Sequence, residues 1–137
     1  TFDRWFCEYP EVGESCYFGP DKVADMVAEF HQAFGDGPYK LGFPDLAVRR
    51  LRHKLIREEY VETRDADEDE DIVAFADGLA DMVYVIYGTA YTYGIDLDAV
   101  LREVHRSNMT KDFNNVSGKI KKGEDYEPPD IAGVLGL

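Results

Sequence analysis

The sequence predicts an all-α fold, and two observations carry that expectation. Apolar residues recur at helical spacing through four segments, and no stretch alternates as a strand would. Two carboxylate clusters also fall at helical spacing: Glu58-Glu59-Tyr60-Val61-Glu62 and Asp77-Gly78-Leu79-Ala80-Asp81. At about 100° per residue, Leu51, Leu55, Glu58, Glu59 and Glu62 lie within an arc of roughly 100°. Asp77 and Asp81 share a face with Tyr84 and Gly88 in the same way.

The first helix opens at Pro20-Asp21, with Asp favourable near a helix N-terminus. Val23, Met26, Val27 and Phe30 form its apolar face, and Gly35-Asp36-Gly37-Pro38 stops it. The second runs from a cap at Asp45 through Leu46, Val48, Leu51, Leu55 and Ile56 into the first acidic cluster. The run Asp65 to Asp71 reads as a solvated turn leading into the next helix. It lacks the central Gly and terminal Glu of a calcium-binding loop. The third helix spans about Asp71 to Tyr93 and is apolar over most of its circumference. It is therefore expected to be the central, most buried element. Gly94 ends it, and Asp96 caps a fourth helix carrying Leu97, Val100, Leu101 and Val104. Beyond Asn108 the pattern gives way to a basic loop and then a rigid acidic one, ending in Pro128-Pro129-Asp130. Residues 1–20 form an irregular aromatic-rich arm, leaving 21–137 as one domain.

Size and charge narrow the function. A chain of 137 residues buries a core of its own. The net charge of −13 repels nucleic-acid phosphate and argues against a DNA- or RNA-binding module. No apolar run is expected to span a bilayer, because Gly88 and the tyrosines interrupt the stretch after Met82. No charged-then-apolar leader is visible at Thr1, so a cytoplasmic protein is expected. Cys7 and Cys16 could pair but are expected free in that setting, and they lack zinc spacing. His31 and His105 are expected to be packed, hydrogen-bonded histidines.

Carboxylates pointed at one another in a partly buried site repel and lose hydration. A bound divalent cation relieves both, and oxygen-only ligands suit Mg²⁺ or Mn²⁺. If the second and third helices form an antiparallel hairpin, the clusters face each other. Their midpoint falls near Asp69–Glu70, inside the run that signals a turn.

These residues resemble a known family. Glu58-Glu59-x-x-Glu62 followed by Ala80-Asp81 is similar to the EExxE and ExxD motifs of the MazG-like all-α nucleoside triphosphate pyrophosphatases. The resemblance sharpens towards the small phosphoribosyl-ATP-pyrophosphohydrolase-like members, often phage or bacterial. Glu29-Phe30-His31-Gln32-Ala33-Phe34-Gly35, Tyr84 to Ala90, Glu103 to Lys111 and the closing Gly118-Lys119-x-x-Lys122 with Pro128-Pro129-Asp130 carry it. It implies a four-helix bundle and Mg²⁺-dependent hydrolysis of a nucleoside triphosphate to monophosphate and pyrophosphate, as in sanitation of the nucleotide pool. Phosphoribosyl-ATP hydrolysis and non-catalytic nucleotide binding are the alternatives.

By resemblance, Glu58, Glu59, Glu62 and Asp81 are metal ligands or bases, with Glu59 the candidate for activating water. The Glu of ExxD falls on Gly78, and Asp77 stands one residue earlier on the face of Asp81. Either Asp77 supplies the missing carboxylate or the metal site is weakened. Capping explains a mid-helix Asp beside a Gly poorly, which favours the first. Asn108 and Lys111 are candidates to hold phosphate, and Lys119 and Lys122 to close over it. The apolar third helix leads to an expected homodimer or homotetramer.

Overall fold

The computed structural model describes residues 20–114 and 119–137. The expectations for the aromatic arm, Cys7 and Cys16 lie outside the described residues. The elements are α1 (Pro20–Ala33), α2 (Leu46–Glu68), α3 (Ile72–Thr92), α4 (Leu97–Asn108), β1 (Asp112–Asn114), β2 (Lys119–Lys121) and α5 (Ile131–Val134). The all-α expectation holds for the bundle. The short antiparallel pair β1–β2, with Phe113 opposite Ile120, and the single turn of α5 were not foreseen.

Aspartates start each of the later helices. Asp45 accepts a hydrogen bond from the Val48 amide, Asp71 from Ala74 and Asp96 from Ala99, at 3.0–3.1 Å. Each thereby satisfies one of the amides that a helix N-terminus leaves without an internal partner. The acidic run divides differently from the expectation. Asp65 to Glu68 continue α2, and only Asp69, Glu70 and Asp71 make the turn, with Glu70 at φ 55°.

The helices pack in the order α2, α3, α1, α4. Among the described residues α2 packs chiefly on α3, α1 packs on both α3 and α4, and α3 and α4 touch each other only slightly. The α2–α3 seam is made of small and polar groups. A Cβ at Gly78 would lie 2.4 Å from Thr63 Oγ1 and 3.1 Å from its Cα, so the backbones meet there at glycine distance. Three turns further along, buried Arg52 donates to Thr89 Oγ1 (3.1 Å) and to the Val85 carbonyl (2.9 Å). Gly88 makes room for its guanidinium: a Cβ there would be 2.5 Å from Arg52 Nη2 and 2.9 Å from His31 Nε2. Both pairings, Thr63 with Gly78 and Arg52 with Thr89, centre on the Glu70–Asp71 turn. The antiparallel hairpin therefore holds, and Glu59 comes level with Asp81 and Met82.

His31 is packed as expected, its Nδ1 2.7 Å from Asp36 Oδ2. Tyr39 donates to the other oxygen of Asp36, and Tyr91 to its main-chain carbonyl at 2.7 Å. The Tyr39 hydrogen bond, followed by that of His31, holds the Asp36 carboxyl below its ordinary value. This ties the α1–α2 loop to α3. His105 is exposed instead of packed, because it lies on the outer side of α4.

α3 corrects a second expectation. It is central in the packing order, yet only Gly78, Tyr87, Gly88, Ala90 and Thr92 are buried along it. Ile72 and Val73 are 74% and 77% exposed, and Leu79, Val83 and Ile86 also face outward. Periodicity shows how much apolar surface a helix carries but not which chain covers it. By length and composition alone α3 could cross a membrane, contrary to the reading of its interruptions. Mean hydropathy tolerates a Gly and several tyrosines. Its packing against α1 and α2 is that of a bundle helix.

Gly78→Ala is expected to lower stability by about 1–2 kcal/mol in urea titration. The added methyl overpacks the seam, while the gain in helix propensity offsets part of that cost. Adding Thr63→Ala should restore part of the loss.

Candidate active site on the helical hairpin

Register sets the first half of the site. Glu59 is half-buried because it lies on the seam side of α2, one turn before Thr63, whose hydroxyl donates to the Glu59 carbonyl at 2.7 Å. Glu58 and Glu62 flank it on the exposed side, and Asp77 and Asp81 project from the exposed side of α3. Burial pushes the Glu59 carboxyl above its ordinary value, and the charges of Asp81, Glu62, Glu58 and Asp77 push it further, in that order. The other four carboxylates expected from the sequence are thus within electrostatic reach of Glu59. Asp77 takes part even though its neighbour Gly78 is committed to the seam. A longer side chain at position 78 would point into Thr63, so this packing has no room for a carboxylate there. Lys54 offers partial charge relief to Glu58 at 3.7 Å, with both groups exposed.

A hard dication fits the donor set, which is oxygen-only and mutually repelling. Among the described residues, no three His, Cys, Asp or Glu side chains already converge on one point. An ion would have to gather them by rotation about side-chain bonds, which exposed carboxylates do readily.

The basic residues lie elsewhere. Asn108 ends α4 and Lys111 follows it; α4 packs on α1 and to a lesser extent on α3. Lys122 rests over the Tyr126 ring, its Nζ 5.0 Å from the centroid. Lys119 is in β2; its side chain lies outside what is described. The acidic candidates are therefore coupled to Glu59, and none of the basic candidates is among the charges acting most strongly on it.

A clasp that the motifs did not suggest holds the segment after the β-hairpin. Arg106 donates twice to Glu103 (2.9 and 2.8 Å), once to Glu127 (3.1 Å) and once to the Pro128 carbonyl (3.3 Å). Buried Ser107 donates to the Glu127 carbonyl at 2.7 Å, and the Glu127 amide donates to Thr110 at 2.9 Å. The Asp130 amide donates to Glu103 at 2.9 Å. The Glu103–Arg106 spacing of three on one helix was the signal available for it. These contacts, Arg106 first and the Asp130 amide second, bring Glu103 down to about 2.

With this geometry in place, comparison with known proteins gives the class. Residues 27–108, more than half of the chain, match the family described as phosphoribosyl-ATP pyrophosphohydrolase, and the chain belongs to that family. It is also similar to the uncharacterized protein L479 of Acanthamoeba polyphaga mimivirus, 32% identical over 98 residues. That match takes in 66% of this chain and 39% of the relative, so the chain spans about two-fifths of that protein's length. The matched residues 27–108 contain both carboxylate clusters and stop at Asn108.

The clasp makes a pH prediction. A carboxyl held below its unfolded value contributes stability that is present above about 4.5 and lost as pH falls towards about 2. Glu103→Gln should lower the melting temperature modestly at pH 7, the Arg106 guanidinium being exposed and screened by solvent. The difference from the parent should close across that acid window in thermal melts.

Proposed function

We propose that this protein is a pyrophosphohydrolase that cleaves a nucleoside triphosphate to its monophosphate and pyrophosphate at the α2–α3 hairpin, with Mg²⁺ as cofactor. The observation that carries this reading is the electrostatic coupling of Glu59 to Glu58 and Glu62 on its own helix and to Asp77 and Asp81 across the seam, in a chain whose family is that of phosphoribosyl-ATP pyrophosphohydrolases.

Glu58, Glu59, Glu62, Asp77 and Asp81 would hold the metal, with Mn²⁺ as a substitute. Bound there, the ion supplies charge relief to the phosphates and acidifies a water. Glu59, the least solvated of the five, is placed to orient that water or accept its proton. The charge of a bound cation would oppose the repulsion from the neighbouring carboxylates and favour the ionised form of Glu59 that a base requires. Asn108, Lys111, Lys119 and Lys122 are the groups suited to the remaining phosphate charge. Among the tyrosines, Tyr84 is next to the carboxylates, one helical turn from Asp81. Its ring meets Phe30 edge-on at 5.6 Å, offering a flat surface beside the polyphosphate site.

Outward-facing Leu79, Val83 and Ile86 on the helix that carries Asp77 and Asp81 support a homodimer or homotetramer as the working form. A cytoplasmic setting, with nucleotide-pool sanitation as the role, completes the reading. Phosphoribosyl-ATP as substrate is the second reading, favoured by the family that residues 27–108 match.

Pyrophosphate release across canonical and modified nucleoside triphosphates and phosphoribosyl-ATP, with and without Mg²⁺, tests both. Turnover of phosphoribosyl-ATP alone selects the second reading, and binding without turnover of any substrate refutes both. Glu59→Gln should keep the fold by circular dichroism and lose at least about 100-fold in kcat; near-normal turnover would remove Glu59 from its role. Asp77→Ala should shift the Mg²⁺ activation curve to higher concentration, and an unchanged curve would mean that Asp77 does not substitute for the carboxylate absent at Gly78.

A further inference from the structure

Opposite in character to the carboxylates is a row of apolar side chains on α1 that the described residues leave open to solvent. Met26, Phe30 and Phe34 follow at intervals of four residues and are 51%, 48% and 77% exposed. Phe30 meets Phe34 at 5.0 Å and Tyr84 of α3 at 5.6 Å, both edge-on, so the row continues across two helices. Leu79, Val83 and Ile86 belong to another face, at least about 100° round α3 from Tyr84. A contiguous aromatic surface of this kind marks a place where something docks.

The sequence joined to the start of this row is suited to cover it. Phe2, Trp5, Phe6, Tyr9, Tyr17 and Phe18 all precede Pro20, the first residue of α1. Such a composition has apolar surface to bury, unlike the aromatic-poor composition of chains that stay unfolded. The tether holds it at an effective concentration that any separate partner would have to exceed. Local chemistry also gives a direction. Gly19-Pro20 is a turn signal, and Pro is favoured at the first position of a helix. Phe18 and Val23 then hold the two positions from which apolar side chains pack across a helix start and set the angle of the entering chain. By helical spacing Val23 lies on the same side of α1 as Met26, Phe30 and Phe34.

We propose that the residues before Pro20 turn back along α1 and cover the row of Met26, Phe30, Phe34 and Tyr84 in their own chain. The lengths agree. An extended chain advances about 3.3 Å per residue, against 1.5 Å on a helix. Phe34 stands roughly 21 Å from the start of α1, which six or seven extended residues span. Phe18 comes level with Val23 and Met26. Cys16, about 13 Å back from Pro20, comes level with Phe30, about 15 Å along the helix. Enough chain remains beyond Phe34 to continue over the edge of Tyr84.

Cys7 and Cys16 are the two cysteines of the chain, so the full chain with Cys7→Ser reports on Cys16 alone. Its thiol should react with dithiobis(nitrobenzoate) at least about 10-fold more slowly than in the urea-unfolded chain. Phe30→Ser/Phe34→Ser removes two exposed side chains and should bring the rate close to the unfolded one, with helical circular dichroism unchanged. Parent reactivity equal to that of the unfolded chain, or full protection in the double variant, would overturn the proposal. Should the double variant lose its helices, a disulfide measurement decides. Phe30→Cys in the Cys7→Ser chain should join Cys16 to position 30 within one chain in glutathione buffer, at a rate independent of protein concentration. His53→Cys, at an exposed position on α2, should link at least about 10-fold more slowly. Equal rates at the two positions, or links that join two chains instead, would overturn the proposal, and the latter would give the row to another copy.

Discussion

The close approach of α2 and α3 is the constraint on which the rest of the molecule depends. Thr63 against Gly78 and Arg52 against Val85 and Thr89 fix one register between the two helices. That register alone brings Glu59 level with Asp81. A slip of a single helical turn would move it by about 5.4 Å and dissolve the carboxylate cluster. The seam's specificity comes from one tight backbone contact, Thr63 on Gly78, and one buried guanidinium hydrogen-bonded to Thr89 and Val85.

Gly78 shows how packing and chemistry compete for a position. In the motif that this chain resembles, position 78 carries a carboxylate; here the backbone needs that space to approach Thr63. Asp77, one residue earlier, keeps a carboxylate within electrostatic reach of Glu59, while the seam keeps the glycine. The departure from the motif is a trade between two uses of one helical position, both visible in the same pair of helices.

Much of this was legible in the sequence, because much of it is local. Asp45, Asp71 and Asp96 announce the starts of their helices through side chains that need only their own next turn. The carboxylates were legible through helical spacing, and their meeting through the turn at Asp69–Asp71. The exposure of Ile72, Val73 and Val83 was not, since apolar periodicity does not tell cover by the same chain from cover by another. The place of Asn108 and Lys111 was not legible either. It follows from α4 lying on α1, and that choice is made by packing across the bundle. Strands of three residues, such as Asp112–Asn114, are too short to alternate visibly.

Arg52 has a further consequence. Its guanidinium donates to a hydroxyl and a main-chain carbonyl, both neutral, so the hydrogen bonds that align the hairpin are not themselves a charge pair; the Asp36 carboxylate adds a Coulombic attraction. Dissolved salt screens exposed charges far more than buried ones. Raising ionic strength would therefore relax the crowding among the rim carboxylates while leaving the helices keyed as they are: the machine's frame and its working edge answer to different solvents.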